Sequence, residues 1–484
     1  MAQPPATSSP VRRLVPVAAL AAALFSAAFA LLEGLVAPTP DALSPAVGLR
    51  LYWVGAAAAW AVLTVLAWRL VRAPIAPDGG TDRRVAVWVV MGVALLLRLW
   101  VIDATTPQLS DDMHRYVFDG RTLASGMNPY RFAPAERTDL DASMARLVER
   151  INHPTLVTIY LPTSQLCFGA IAAVSDPQRD PFGYITFRTA FVLVELAALF
   201  LVMRVLIAAG RSPWWAALYA WHPVPISEVA GSGHQDVLGI ALLVACLAVL
   251  TRRRGTATAA GRSMSGAGAG ALWALATGVK PVTLPLLIPL AWTMRRDLPR
   301  LAAFLGAAGL TALALLVPFH FMEGGLAGLW QTGRTFVDQW AHSGSIHTLL
   351  AGPLGHRGAS WVSAGLLVGV MGVAAWRGAG PWTAALVAFF AAPLLSSTVH
   401  PWYLLWAMIL LPLRFHPALW ILTLTVTWNY AAWLNPDGWE LPTRVAYWTY
   451  VPVYALLAWE AGRWCMHRRR GAVGPPTHPP AVRS

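Results

Sequence analysis

The sequence predicts an all-α, polytopic transmembrane helical bundle of about 12–14 helices. Three observations predict it: 57% of the 484 residues are apolar, only 12% carry charge, and apolar runs recur along the whole chain at roughly the 20 residues needed to cross a bilayer core of about 30 Å. A soluble chain carries about 25% charged residues. This chain lacks the polar residues to cover two or three water-facing domains, so most of its solvent is lipid.

The spans are expected near 14–36, 51–70, 85–102, 185–208, 213–229, 236–251, 267–279, 281–294, 299–319, 361–376, 382–398, 401–413, 417–434 and 444–463. The first follows Arg12-Arg13 and contains the small residues Ser26-Ala27-Ala28, as a signal peptide would. Its apolar run is 19 residues long, from Leu14 to Leu32, and it is read as an uncleaved span. The short pairs 267–279/281–294 and 382–398/401–413 suit tight hairpins. Segment 255–269, rich in Gly, Ala and Ser, is expected to be a flexible linker. Residues 1–470 form one domain, and the Pro-rich tail 471–484 is expected to be disordered and cytoplasmic.

Arginine placement sets the topology. The net charge of +13 is not gathered into one patch, which excludes nucleic acid as a partner. Arg69 and Arg72, Arg83-Arg84, Arg252-Arg253-Arg254, Arg295-Arg296 and Arg468-Arg469-Arg470 fall between spans, as cytoplasmic loops do under the positive-inside rule. Counting crossings from a cytoplasmic start puts each of these clusters inside, along with both termini. The segment from Asp103 to Gly183 then lies outside with ten of the 23 acidic residues. Within it, Asp139–Ile151 reads as a short amphipathic helix. Thr155–Val174 reads as an interfacial helix, because a crossing there would invert every later Arg cluster. The cysteines Cys167, Cys246 and Cys465 form no metal or disulfide spacing.

The polar clusters all fall on this outer face. Ser110-Asp111-Asp112 leads through Arg115-Tyr116 and Asp119-Gly120 to Gly126-Met127-Asn128-Pro129-Tyr130. Two adjacent carboxylates repel, so one keeps a raised pKa or a cation holds both ionised; such a group can act as general base on a hydroxyl. Glu228, near a span end, precedes Gly231-Ser232-Gly233-His234-Gln235-Asp236, and a carboxylate at membrane depth is expensive and usually functional. Lys280, the only lysine in the chain, can pair with a phosphate. His400-Pro401-Trp402-Tyr403 marks another outer turn. Arg334, His342 and His347 occupy the outer loop 320–360, where Arg334 can bind phosphate. A site at an outer membrane interface suits a substrate with a lipid tail and an anionic head.

These motifs resemble those of the GT-C glycosyltransferases, and most of all the bacterial polyprenol-phosphate-mannose-dependent mannosyltransferases. The first-loop string, then Trp221-His222-Pro223 with Glu228 and the 231–236 turn, then His400-Pro401-Trp402-Tyr403 agree in order and spacing over about residues 85–435. The resemblance implies a multi-pass protein of the bacterial inner membrane. It implies a polyprenyl-phosphate-linked sugar donor, a glycan or glycolipid acceptor, and inverting transfer on the extracytoplasmic side. Asp111 is then the general base, with Asp112 as second choice. Arg115, Tyr116, His153, Glu228, His234, Asp236, Lys280, Arg334, His400 and Tyr403 are the candidates for binding donor phosphate and sugar. Some relatives use a divalent cation (Mg2+ or Mn2+), which Asp111 and Asp112 would hold, and others use none. Mannose is the sugar implied; glucose and arabinose stay open. No Rossmann glycine fingerprint is present, as suits a donor that is not a nucleotide sugar.

Two rivals fit less well. A transporter or flippase of a lipid-linked sugar would place polar residues near the midplane and often show internal repeats. An intramembrane prenyltransferase would carry Asp-x-x-x-Asp motifs on the cytoplasmic side.

Overall fold

The structure is a computed structural model that describes residues 10–36, 44–72, 80–105, 109–252, 258–435 and 441–471. Among these residues there is no strand, only an isolated bridge pairing His342 and Ser343 with Thr398. The all-α bundle is as expected. Its helices are α1 (Pro10–Val36), α2 (Pro45–Arg72), α3 (Gly80–Ala104), α4 (Asp112–Ala124), α5 (Ala142–Val148), α6 (Pro162–Val174) and α7 (Tyr184–Ala208). Two single turns follow, α8 (Ala217–Ala220) and α9 (Pro223–Pro225), and a π-helical turn over Ile226–Gly231. Then come α10 (Asp236–Thr251), α11 (Ala259–Thr277), α12 (Leu287–Met294), α13 (Leu298–Phe321), α14 (Ala327–Gln339), α15 (Ile346–Trp376) and α16 (Pro381–Leu395). The chain closes with α17 (Leu405–Met408), α18 (Pro417–Thr425) and α19 (Thr443–Gly471).

Among the described residues six helices are long and apolar enough to cross a membrane: α1, α2, α3, α7, α13 and α15. The π-turn and α10 make a seventh, bent by 118° at its break. Several other expected spans are short or broken. Prolines cause much of this: Pro281 and Pro285 confine 281–286 to a 3-10 turn ahead of α12, and Pro401 opens another ahead of α17.

Other boundaries also differ. The linker expected over 255–269 is helical from Ala259. Its N-terminus is capped by Thr258, whose hydroxyl accepts from Gly261 N, and its small residues let α11 lie against α13. Residues 255–257 lie outside the described set, as does the tail from 472. The interfacial helix starts at Pro162, not at Thr155; proline suits the first helical position, and residues 155–161 run as a turn followed by irregular backbone. The amphipathic helix spans Ala142–Val148, capped by Asp141 accepting from Met144 N. The outer loop 320–360 is largely helical, holding α14 and the first part of α15, which breaks at Gly355.

The bundle has two distinct ends. At one, arginine-bearing turns touch each other: Arg300 donates to Leu250 O at 3.0 Å, Arg262 pairs with Asp297 at 3.0 Å, and Arg211 donates to Leu413 O. The far ends of α3, α7, α10, α11 and α13 lead to the acidic loop and to the 231–236 and 278–281 turns. Helix α10 alone separates the two ends by about 24 Å at 1.5 Å per residue.

Close packing of α11 on α13 depends on Gly266 and Gly270, a small-xxx-small pair of the kind that lets membrane helices approach. A Cβ at either would fall on a backbone carbonyl, of Arg300 or of Phe304, whereas one at Gly268 meets open space. Gly270→Leu is expected to lower stability by about 1–3 kcal/mol through overpacking, read as earlier thermal unfolding in detergent. Gly268→Leu should melt as wild type; equal losses in both would contradict the packing argument.

In the acidic loop α4 and α6 lie together on glycines of their own. A Cβ at Gly120 would come within 2.5 Å of Phe168 O, and Tyr116 stacks on Phe168 with ring centroids 4.8 Å apart. The amino end of α6 seats on the 278–279 turn, where Thr163 N donates to Gly278 O at 3.0 Å, and on Gln235, whose Oε1 accepts from Ser164 Oγ at 2.7 Å. These contacts hold the loop against the starts of α10 and of the Lys280 turn.

Candidate active site

A cavity of about 2050 Å³ opens at the end of the bundle away from the arginine turns. Of the twelve site residues expected from sequence, ten line it: Asp111, Asp112, Arg115, Tyr116, His153, Asp236, Lys280, Arg334, His400 and Tyr403. Residues nearly 300 positions apart in the chain thus meet around one space. Glu228 and His234 do not line it; both are fully buried behind its wall.

The carboxylate pair sits at the start of α4. Asn152, which sequence patterning did not single out, donates through Nδ2 to Asp111 Oδ1 at 2.7 Å and to Asp112 Oδ1 at 3.2 Å. One amide thus holds two like charges side by side. Burial raises the Asp111 pKa above the ordinary carboxylate range, against its hydrogen bonds to backbone and Asn152. Asp112 is pushed up to about 6 by burial and then by the charge of Asp111, opposed by Asn152 and Lys280. Both are therefore more basic than a free carboxylate.

Next to the pair, Arg115 donates from Nε to Asp119 Oδ1 at 3.1 Å and from Nη2 to Leu156 O at 2.6 Å. Gln165 donates to the other Asp119 oxygen at 3.0 Å. Asp119 thus aims Arg115 at the cavity wall. His153 has a left-handed backbone (φ 49°), uncommon outside glycine. Its ring meets Trp340 edge-on at 4.8 Å, and burial lowers its pKa, so it faces the cavity neutral.

Opposite lie Lys280 and Asp236. Lys280 Nζ is 2.8 Å from Asp236 Oδ1 and 3.7 Å above the Tyr403 ring centre. The same Asp236 oxygen accepts from Trp406 Nε1 at 2.6 Å. Beside them stands a column of four near-parallel rings, His342, His400, Trp402 and His234, with successive centroids 4.5, 4.3 and 3.9 Å apart. Arg334, exposed on α14, stands at the rim.

Other motif residues prove architectural. Asn128 donates to Gly325 O at 2.8 Å and to Glu323 O at 3.2 Å while accepting from Tyr130 N, and Tyr130 donates to Tyr160 O. The Asn-Pro-Tyr turn therefore clasps the loop to the end of α13. His222 caps α9 by accepting from Val224 N and contacts Thr423 Oγ1 at 2.9 Å. Sequence patterning also missed four charges inside spans. Arg98 pairs with Glu195 through two 3.0 Å contacts and donates to Ala220 O. Arg188, fully buried, donates to Ile102 O, Thr105 O, Ala230 O and Gly231 O, tying the end of α3 to the π-turn. Glu33 accepts from Ser227 Oγ at 3.1 Å.

Among the described residues no group of three or more His, Cys, Asp or Glu side chains converges to hold a metal ion. The Asp111–Asp112 pair is still a donor set that suits Mg2+, which takes one or two carboxylates and completes its shell with water and substrate phosphate.

Fold and cavity together define the class: a multi-pass helical membrane protein with basic carboxylates facing a cation and an aromatic wall across a space large enough for sugar. Comparison with known proteins narrows this. The chain belongs to the MptA_B family: residues 13–296 match the alpha-(1->6)-mannopyranosyltransferase N-terminal domain, so it is a mannosyltransferase. The match takes in the carboxylate pair, Asn152, Asp236 and Lys280; Arg334, His400 and Tyr403 lie beyond it. No curated protein and no solved structure matches the chain.

Proposed function

We propose that the protein transfers mannose from a polyprenyl-phosphate-mannose donor to a hydroxyl of a glycan or glycolipid, on the extracytoplasmic face of the bacterial inner membrane. The observation that carries this is the placing of basic carboxylates and Lys280 across one cavity at the bundle end opposite the arginine turns. Those turns are cytoplasmic by the positive-inside rule, which puts the cavity outside, beyond the reach of cytoplasmic nucleotide sugars and level with lipid headgroups.

In this reaction Asp111, the less buried carboxylate, takes the acceptor proton as the acceptor oxygen bonds to C1 of the sugar. The bond from C1 to the phosphate oxygen breaks, and its electron pair leaves with the polyprenyl phosphate. Lys280 and Arg115 stabilise the charge growing on that phosphate, while the carboxylate pair faces the oxocarbenium character developing at C1. Should a divalent cation be required, Asp111 and Asp112 are the residues to hold it, and it would add charge stabilisation at the phosphate. A single displacement inverts the anomeric centre. The α-(1→6) linkage in the family's description then calls for a β-linked donor and the primary hydroxyl of an acceptor hexose.

The test is transfer by right-side-out membrane vesicles given a membrane-impermeant mannoside and radiolabelled polyprenyl-phosphate-mannose. Labelled α-1,6 product on the outer acceptor supports the reading. Labelling from GDP-mannose in the absence of lipid donor would overturn it. The carboxylate chemistry also sets a pH dependence. A base must be ionised, and both carboxylates are raised, Asp112 to about 6. Accordingly kcat/KM should climb with pH along a limb lying above the ordinary carboxylate range and level off beyond it; a limb within the ordinary carboxylate range would contradict the basic carboxylates.

A further inference from the structure

Glu228 and His234 were expected to bind donor but sit behind the cavity wall, 0% exposed. His234 Nε2 lies 3.2 Å from Glu228 Oε2. On the other edge of the ring, Nδ1 lies 3.5 Å from Tyr116 Oη and 3.8 Å from Asp112 Oδ2. Tyr116 Oη is in turn 3.4 Å from that same Asp112 oxygen. Trp402, stacked on the imidazole at 3.9 Å, holds the ring plane.

We propose that Glu228 carries a proton and donates it in a hydrogen bond to His234 Nε2, setting the direction of a chain that runs from Glu228 through His234 and Tyr116 to the Asp112 carboxylate. Glu228 and His234 are positioning residues for the transfer, and this assignment rests on the carboxylate-base reading above.

The argument is one of counting protons. Tyr116 has a single hydroxyl hydrogen, for which two acceptors that bring no hydrogen of their own compete, Asp112 Oδ2 and His234 Nδ1; the Tyr160 hydroxyl, also in hydrogen-bond reach, carries its own hydrogen and can donate to Tyr116 Oη instead. If Nδ1 is bare, it takes that hydrogen and Asp112 loses a donor. If Nδ1 carries hydrogen, it donates to Tyr116 Oη, and Tyr116 donates onward to Asp112. A neutral imidazole carries hydrogen on Nδ1 only when Nε2 accepts, and the group facing Nε2 is Glu228. Among the described residues neither Glu228 oxygen nor His234 Nε2 makes a hydrogen bond to any other group, so two buried, unsatisfied groups face each other at 3.2 Å. A bare carboxylate enclosed in that way is strongly disfavoured, whereas a carboxylic acid donating to Nε2 is satisfied. With the chain so directed, Asp112 accepts from Asn152 and Tyr116 and stays ionised, and its charge strengthens Asp111 as proton acceptor. The charged and titratable groups around Asp112 and His234 are Asp111, Tyr116, His153, Tyr160, Asp236, Lys280, His400 and Tyr403 and, behind Glu228, Glu33 and Tyr52.

Three variants test this in the vesicle assay, with thermal unfolding in detergent as a check on folding. Glu228→Leu removes the donor. It should cut kcat/KM about tenfold or more. Glu228→Gln supplies an amide donor in the same place and should restore activity to within several-fold of wild type, a rescue that a merely space-filling role would not distinguish from Glu228→Leu. Tyr116→Phe should impair as Glu228→Leu does, and the double variant no further, since both break one chain. A Glu228→Gln protein as impaired as Glu228→Leu would mean that Glu228 acts as an anion, and a Glu228→Leu protein like wild type would mean that it does not act; either overturns the proposal. Asp111→Asn, run alongside, separates the two levels. If it is inactive while Glu228→Leu is normal, only the chain fails; if it keeps activity while Glu228→Leu is impaired, the Asp111 assignment fails and the chain serves Asp112 directly; if both keep activity, both fail.

Discussion

Asp111→Asn is expected to lose about 10³-fold in kcat, within the usual range for removal of a general base, while folding and membrane insertion stay intact. The substitution is isosteric and removes only the charge and the basic lone pairs. Among the described residues the one side chain that bonds Asp111 is Asn152, which keeps Asp112 as a second acceptor, so the loop is not left with a stranded donor. The measurement is single-turnover transfer at saturating donor, together with a melting curve in detergent. Transfer at more than about a tenth of the wild-type rate would move the base elsewhere, with Asp112 the next candidate by geometry.

Lys280→Ala should cost about a hundredfold in kcat/KM for the lipid donor, about 2.7 kcal/mol, with a much smaller change in the KM of the acceptor. Two effects combine here. The phosphate loses its cation, and Asp236 loses the ammonium 2.8 Å away, leaving Trp406 Nε1 as its remaining donor. The double variant Lys280→Ala/Asp236→Asn separates them, because it removes the stranded carboxylate without returning a cation. It should recover only part of the loss. Full recovery would show that Lys280 serves Asp236 alone and that the phosphate is held elsewhere, with Arg115, Arg334 and Arg357 as the other cations lining the cavity.

How much of this could be read from the chain follows from what local pattern can encode. Apolar run length gave the bundle, and arginine spacing gave its two ends, because both signals sit in contiguous residues and act through the bilayer. Polar motifs gave the cavity residues for the same reason: Asp111-Asp112, Lys280 and His400 stand out where charge is scarce. Depth relative to the cavity was not legible. Glu228 and Asp236 are eight positions apart and equally polar, yet one is sealed behind the wall and the other lines it; the π-turn and the 118° bend between them decide this. Asn152 escaped notice because an amide in a polar loop carries no signal until two carboxylates are seen across from it. The helix boundaries that moved were those where proline or small residues act on tertiary neighbours, as at Pro162 and Gly270. Arg98 and Glu195 were passed over because each looks like an isolated defect in its own span, and only the fold brings them together.

That last pair bears on how the chain is made. Its members are separated by nearly a hundred residues, so when α3 leaves the ribosome its guanidinium has no counter-ion, and a lone arginine deep in a span costs about 2.5–3.5 kcal/mol to insert. The debt is cleared only once α7 has been synthesised. The ion pair therefore ties the final packing of α3 to the arrival of α7.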